Sequence, residues 1–387
     1  MAWIAIVLAT QAWPSWETGI RELFASDVSS YQRIAEAAPG LPTAPVPAQH
    51  AQRFPAHWAV GTIADLAGAN LHDVYRVASL LCLLAIVLVM HRAFVALRLG
   101  PGPYALCIGL VAASAYPMRY LLAAPGMLSD AVFLLGFAMV ALGFAQRHDR
   151  LVVAGVAIAT LGRQTAVPLA FAAALAVVVS WERPRALRVA AVTLALGVGV
   201  FCAEWIVARR FSSPGTGGFS SFTLLGSLDH PIRLVTREGI ASADARAFLG
   251  LLVPLGLIAG AWLRGRRPPA LPALLAASVL VQPFLLAPAW VSHNETRLAA
   301  LALPALALVA AYQLRGLKLT SATIWCVAAA ILAASFHSRY SDVGVPDSTV
   351  WAAIDVVASL SIALAIGWPR IRLRGASEQS TARARAT

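Results

Sequence analysis

Apolar residues run along this chain in long blocks, without the two-residue alternation of a half-buried strand. The blocks fall at about 2–16, 74–97, 103–122, 128–146, 150–162, 165–181, 187–208, 246–263, 270–290, 298–314, 319–336 and 351–368. A helix that crosses the hydrocarbon of a bilayer takes about 20 such residues. The pattern therefore predicts an all-α, polytopic transmembrane protein with about 11–12 spans. The pair 150–162 and 165–181 is either two short helices meeting at Arg163–Gln164 or one long broken helix. No internal repeat stands out. The opening "MAWIAIVLATQAW" lacks the basic start and small-residue cleavage site of a signal peptide. It is short for a span, as though the true first helix began earlier.

Two polar gaps separate the blocks, at 17–73 and 209–245. In the first, "ETGIRELFASDVSSYQRIAEAA" places Ile20, Leu23 and Phe24, then Ile34, Ala35 and Ala38, at helical spacing. That predicts an amphipathic helix on the membrane surface, interrupted near Asp27. "PGLPTAPVP" reads as an extended link, and "AQRFPAHWAVGTIADLAG" as a second helix with Trp58 as an interface anchor. The gap 209–245 is rich in Gly and Ser; its "SSPGTGGFSS" lacks the Lys-Ser/Thr of a nucleotide-binding loop and reads as a flexible loop. Residues 1–369 then form one transmembrane domain, with a disordered basic tail over 370–387.

Composition supports the membrane reading: 59% of the 387 residues are hydrophobic and 12% charged, against roughly a quarter charged in soluble domains. The net charge of +12 does not redirect it toward nucleic acid. The Arg residues sit in short turns: Arg92 and Arg98; Arg147 and Arg150; Arg183, Arg185 and Arg188; Arg264, Arg266 and Arg267; Arg315 with Lys318; and Arg370, Arg372 and Arg374. These all follow even-numbered spans, so that side is expected to be cytoplasmic, with both termini inside a bacterial inner membrane. The alternation works only if 150–181 crosses twice. Cys82, Cys107, Cys202 and Cys326 lie in apolar runs without metal or disulfide spacing, and read as small core residues.

The other, extracytoplasmic side collects the unusual chemistry: Asp27, Tyr31, Arg53, His57, Asp130, Arg163, His293, Glu295 and Arg297. A carboxylate beside a Tyr and an Arg at a membrane surface is a general base that can deprotonate an acceptor hydroxyl while cations hold a phosphate leaving group. Equally, Asp27 can cap the helix that carries Tyr31.

The order of these features resembles the C-type superfamily of integral-membrane glycosyltransferases, which use lipid-phosphate-linked sugars. In that family the first outer loop carries a catalytic acidic residue, commonly Asp, three residues, Tyr, then an Ile/Leu–Ala pair. Asp27, Tyr31, Ile34 and Ala35 match that form, and "QRFPAHW" is similar to the stretch that follows. "YPMRYLLAAPGMLSDAVFLL", "ATLGRQTAVPLAF" and "HNETRLAALALPALAL" resemble the family's later hairpin, its broken pair with a central Arg, and a late outer loop. The resemblance implies Asp27 as catalytic base. It implies a polyprenyl-phosphate sugar donor, a glycan, lipid or protein acceptor, and inversion at the anomeric carbon. Many members carry a second acidic residue beside the first. Here Ser26 and Val28 flank Asp27, so no metal is assigned and no cofactor is indicated.

Each remaining residue has two readings. Tyr31 positions Asp27 or packs at the interface. Arg53 binds the lipid phosphate or a headgroup. His57 meets substrate or is solvated. Asp130 is a second acidic site residue or a helix cap. Arg163, costly in hydrocarbon, faces a cavity and phosphate or pairs with Asp130 or Glu204. His293, Glu295 and Arg297 contact phosphate or sugar, or form a hydrophilic turn capped by Asn294 or Thr296. The function that competes with transfer is a transporter or flippase, and a catalytically degenerate family member is a further alternative.

Overall fold

A computed structural model describes residues 25–213, 250–281, 295–335 and 352–368; the side chains of Asp27, Glu295 and Arg297 are not among those described. The expected first span, the bulk of the 209–245 loop, His293 and the basic tail lie outside the described residues. What is described is almost wholly helical.

Helix α1 (Ala25–Ala37) buries Ser30, Tyr31, Ile34, Ala35 and the adjoining Ala38, and exposes Ser29, Arg33 and Glu36. It runs unbroken through Asp27, so the expected interruption is absent, and Asp27 lies inside the helix one turn before Tyr31. Its apolar face packs on protein rather than on lipid. After Pro39 and Gly40 the chain extends to a two-residue strand, β1 (Val46–Pro47). β1 pairs in parallel with β2 (Ser212–Ser213), the start of the second long loop. A single turn, α2 (Ala48–Ala51), leads to α3 (Phe54–Ala67), which has Pro55 in its first turn and ends at Gly68 with φ 59°. That is the left-handed conformation glycine adopts without cost. Trp58, expected to anchor in the interface, instead donates its indole N–H to the carbonyls of Pro39 and Gly40 at 3.0 and 3.1 Å.

The side chain of Asn70 accepts from the backbone of His72 and starts α4 (Leu71–Ala96). Helix α5 (Pro101–Ala112) stops early, where a continuous helix over 103–122 is predicted. Pro117 has no N–H for the next helical bond, and the Ser114 hydroxyl accepts from the backbone of Met118. A π turn, Ala115–Tyr120, follows. Helices α6 (Leu128–Gln146) and α7 (Asp149–Gly162) form an antiparallel hairpin, and α8 (Ala166–Ser180) and α9 (Arg183–Ala208) follow. The 150–181 region is thus two helices, broken where Arg163 is extended (φ −156°, ψ 146°). The remainder is α10 (Leu252–Leu263), α11 (Ala270–Val281), α12 (Glu295–Ala300), α13 (Leu303–Leu314), α14 (Ser321–Ser335) and α15 (Ala352–Trp368).

Three helical segments, Leu71–Ala96, Pro125–Gln146 and Arg183–Ala208, are long and apolar enough to cross a membrane. The middle one is mostly buried and is the bundle's axis; the other two turn most of their surface outward. That surface carries Leu81, Leu84, Leu88, Leu187, Leu196 and Ile206. Helix α6 meets α7 backbone to backbone. A Cβ on Gly136 would lie 2.2 Å from Ala159 N, and one on Gly162 would lie 2.4 Å from Phe133 N. Small residues at such crossings let helices touch without a water-driven force. Among the cysteines only Cys107 is buried; Cys202 and Cys326 are exposed, against the expectation of core positions. Arg185 forks onto Asp149 at 2.5–3.1 Å and donates to the Arg147 carbonyl, tying two of the basic turns together.

Candidate functional site

The site grows from the crossing of α1 and α3. Gly61 allows it: a Cβ there would sit 2.0 Å from the carbonyl oxygen of Ala35. At this separation Tyr31 and His57 stack, ring centres 4.0 Å apart and planes 8° apart. His50 meets the Tyr31 ring edge-on at 5.4 Å. Both stacked rings are fully buried. His57 is not solvated, the second of its two readings: it shares a 2.9 Å hydrogen bond between Nδ1 and the Tyr75 hydroxyl, and Tyr75 reaches the Tyr31 carbonyl at 3.5 Å. With Tyr75 as donor to that carbonyl, Nδ1 carries the proton and Nε2 keeps its lone pair. Among the described residues Nε2 has no partner. Burial, then the neighbouring Arg53, pushes the imidazole down to about 3; Asp130 pulls weakly the other way. His57 is therefore neutral near pH 7.

Arg53 ends the loop before α3. Its guanidinium donates to the Tyr31 hydroxyl at 2.8 Å and, more weakly at 3.4 Å, to Oε1 of Gln164. Gln164 in turn donates to Gln52 at 2.7 Å. The break between α7 and α8 is thus bound to the loop that carries Arg53. A headgroup contact at the surface does not describe this residue: it is buried and its fork lies inside the protein.

The α6–α7 hairpin supplies the ion pair. Gly162 packs on the backbone of Ser129 and Phe133, and this brings Arg163 level with Asp130. The two pair through Arg163 Nη1 and Asp130 Oδ1, each side chain 1% exposed. The cap reading of Asp130 fails, because the helix begins at Leu128 after Met127 and has no side-chain cap. Of the readings offered for Arg163, the partner is Asp130; the residue before it, Ser129, is buried and its hydroxyl has no partner among the described residues.

Tyr31, Arg53, His57, Asp130 and Arg163 therefore converge at one end of the bundle, with Asp27 on the same helix as Tyr31. Asp130 and Arg147, at the two ends of α6, stand about 26 Å apart at 1.5 Å per residue, so the basic turn lies at the opposite end. Glu295 and Arg297 lie on α12, whose backbone packs on the π turn rather than on this cluster. Tyr75, His50, Gln52, Gln164 and Ser129 belong to the site and were not singled out in the sequence. A signal existed for two of them, since each arginine has a glutamine neighbour, in "AQRFP" and in "GRQTA". Among the described residues no three His, Cys, Asp or Glu side chains group as metal ligands. Among the described residues the arrangement brings the guanidiniums of Arg53 and Arg163, the Asp130 carboxylate and the neutral His57 imidazole together in a buried setting. No protein-family model, no curated protein and no solved structure matches the chain.

Proposed function

We propose that this chain is a polytopic glycosyltransferase of a bacterial cytoplasmic membrane, with both termini in the cytoplasm. It moves a sugar from a polyprenyl-phosphate donor to an acceptor hydroxyl on the extracytoplasmic side. Three long apolar helices, an outward-facing aliphatic surface and two basic turns tied together through Arg185 and Asp149 support the membrane placement. The shorter helices, 12–15 residues, cover only about 18–23 Å each. They would complete a crossing with the turns that flank them.

The observation that carries the transferase reading is the convergence of Tyr31, Arg53, His57, Asp130 and Arg163 below the helix that bears Asp27. Asp27 is the general base for the acceptor hydroxyl. Attack on the anomeric carbon releases the lipid phosphate, and the guanidinium-rich cluster stabilises the charge that develops on it. One displacement inverts the anomeric centre, and no covalent enzyme intermediate is required. Arg53 and His57 act by fixing Tyr31 and the pitch of the Asp27 helix. Transfer of radiolabelled sugar from membrane polyprenyl-phosphate donors, in cells with matched amounts of wild type and Asp27→Asn, tests this. A labelled product lost only in the variant supports it; the same product in both removes Asp27 from the mechanism.

A flippase or transporter is the second reading, favoured by the Asp130–Arg163 pair inside the bundle and by buried Glu204. It expects Asp27→Asn to leave substrate movement intact.

A further inference from the structure

The turns that carry arginine meet at one end of the bundle. Arg185 on Asp149 joins the α6–α7 turn to the α8–α9 turn. Arg147 and Arg315 both lie within electrostatic reach of the Tyr312 hydroxyl, which brings the end of α13 beside the α6–α7 turn. Gln313 donates to the Arg266 carbonyl at 2.7 Å and Arg264 to the Ile366 carbonyl at 2.6 Å, so the α10–α11 turn and the end of α15 join them. A Cβ on Gly102 would lie 2.6 Å from Ile324 Cδ1, which sets the start of α5 against the start of α14. Helix α14 then runs away from this face to Ser335, whose hydroxyl oxygen accepts from Arg119 on the π turn at 3.2 Å. In and beside these turns the described residues include eleven exposed Arg and Lys side chains against two acidic ones, Asp149 and Glu182. Around the other end Glu36, Asp65 and Asp73 offset Arg33, Arg209 and Arg210. Trp262, Trp325 and Trp368, 61%, 75% and 55% exposed, all lie at the basic end.

We infer that this face docks anionic phospholipid and that the α8–α9 turn holds one headgroup. Indole rings settle at the headgroup layer of a bilayer, so the three exposed tryptophans mark its depth here. The α8–α9 turn is fixed by the Arg185 fork on Asp149. Arg183 and Arg188 flank that fork, both exposed and without a partner among the described residues. Glu182 is the acidic residue beside them. The same two helices turn Leu175, Val179 and Leu187 outward next to the turn. A phosphate meets the two guanidiniums while its acyl chains lie along those aliphatic side chains. A zwitterionic headgroup brings its own cation to the same place and loses the net attraction. Free phosphate has the charge and lacks the chain. The inference rests on the membrane placement proposed above and not on sugar transfer.

The test is native mass spectrometry of the purified full chain in neutral detergent, titrated with phosphatidylglycerol or with phosphatidylcholine of the same acyl chains. Wild type should hold the first phosphatidylglycerol far more tightly than phosphatidylcholine. One arginine near a headgroup contributes about fivefold, so Arg183→Gln/Arg188→Gln should weaken phosphatidylglycerol about thirtyfold and leave phosphatidylcholine unchanged. Arg209→Gln/Arg210→Gln removes the same charge at the other end and should change neither. Inorganic phosphate at matched concentration should not displace the lipid. Equal affinity for the two lipids overturns the inference, as does an equal loss in both double variants. Displacement by inorganic phosphate alone would make the turn a phosphate site and overturn it too. Alkaline carbonate washing of membranes separates this failure from that of the placement beneath it. A chain washed into the soluble fraction sinks both, and a chain that stays in the membrane without lipid preference sinks only the docking face.

Discussion

Gly61→Ala asks whether the α1–α3 crossing sets the site. The new methyl would lie 2.0 Å from Ala35 O and 2.7 Å from Ala35 C and Cα. Backbone cannot swing aside as a side-chain tip can. Restoring an ordinary contact of about 3.4 Å therefore requires the two helices to part by more than 1 Å, roughly. The Tyr31–His57 stack, now 4.0 Å between centres, and the Arg53–Tyr31 bond, now 2.8 Å, both span that crossing. Opening it stretches the bond past useful length. Overpacking of this kind costs about 1–3 kcal/mol, and a misplacement near 1 Å at a catalytic group costs about a hundredfold in rate. The assay is thermal unfolding in detergent beside sugar transfer. Gly199→Ala serves as control, because a Cβ on Gly199 meets nothing within 4 Å and alanine is the better helix former. Equal melting of Gly61→Ala and wild type would refute the crossing as drawn.

Other outcomes follow from the same contacts. Arg163→Ala leaves the buried Asp130 carboxylate without its guanidinium and should lower stability by about 3–5 kcal/mol, whereas the apolar double variant Asp130→Leu/Arg163→Met should recover most of it in thermal melts. Tyr31→Phe removes the acceptor of Arg53 and should cost about 1–3 kcal/mol, with Arg53→Ala in the Tyr31→Phe background costing less than in wild type. His57 is held near 3 in the folded chain against 6.5 when unfolded. The unfolded chain therefore binds the extra proton. The stabilisation is complete above pH 6.5 and is lost as pH falls toward 3, by about 2 kcal/mol at pH 5. In His57→Phe, unfolding followed from pH 7 to pH 5 should lose that slope, and an unchanged slope would return His57 to solvent.

Hydrophobic blocks made the helical class readable, because a run of apolar residues near 20 long has few other uses. Helix ends were less readable. The stop at Ala112 depends on Ser114 and Pro117 acting together inside a run that is apolar overall. The pair of helices around Arg163 was legible as a choice, since a charge in that block needs a partner; only packing through Gly136, Gly155 and Gly162 selects Asp130. Tyr31 stands out by its spacing from Asp27 in one helical segment, and Arg53 and His57 by theirs in a second. Their burial was not, because surface helices and docked helices share one periodicity. His50, Gln52 and Tyr75 join the network through contacts that no local pattern encodes.

Two long-range hydrogen bonds also fix an order of assembly during synthesis. The Arg53–Gln164 contact spans 111 residues, and the Arg119–Ser335 contact spans 216. At about 5–20 residues per second, the first pair waits roughly 6–22 s for its partner to be made, and the second roughly 11–43 s. The network around Tyr31 can therefore close while the chain from α10 onward is still on the ribosome. A chain truncated after α9 keeps every described member of that network and lacks Ser335, the partner of Arg119.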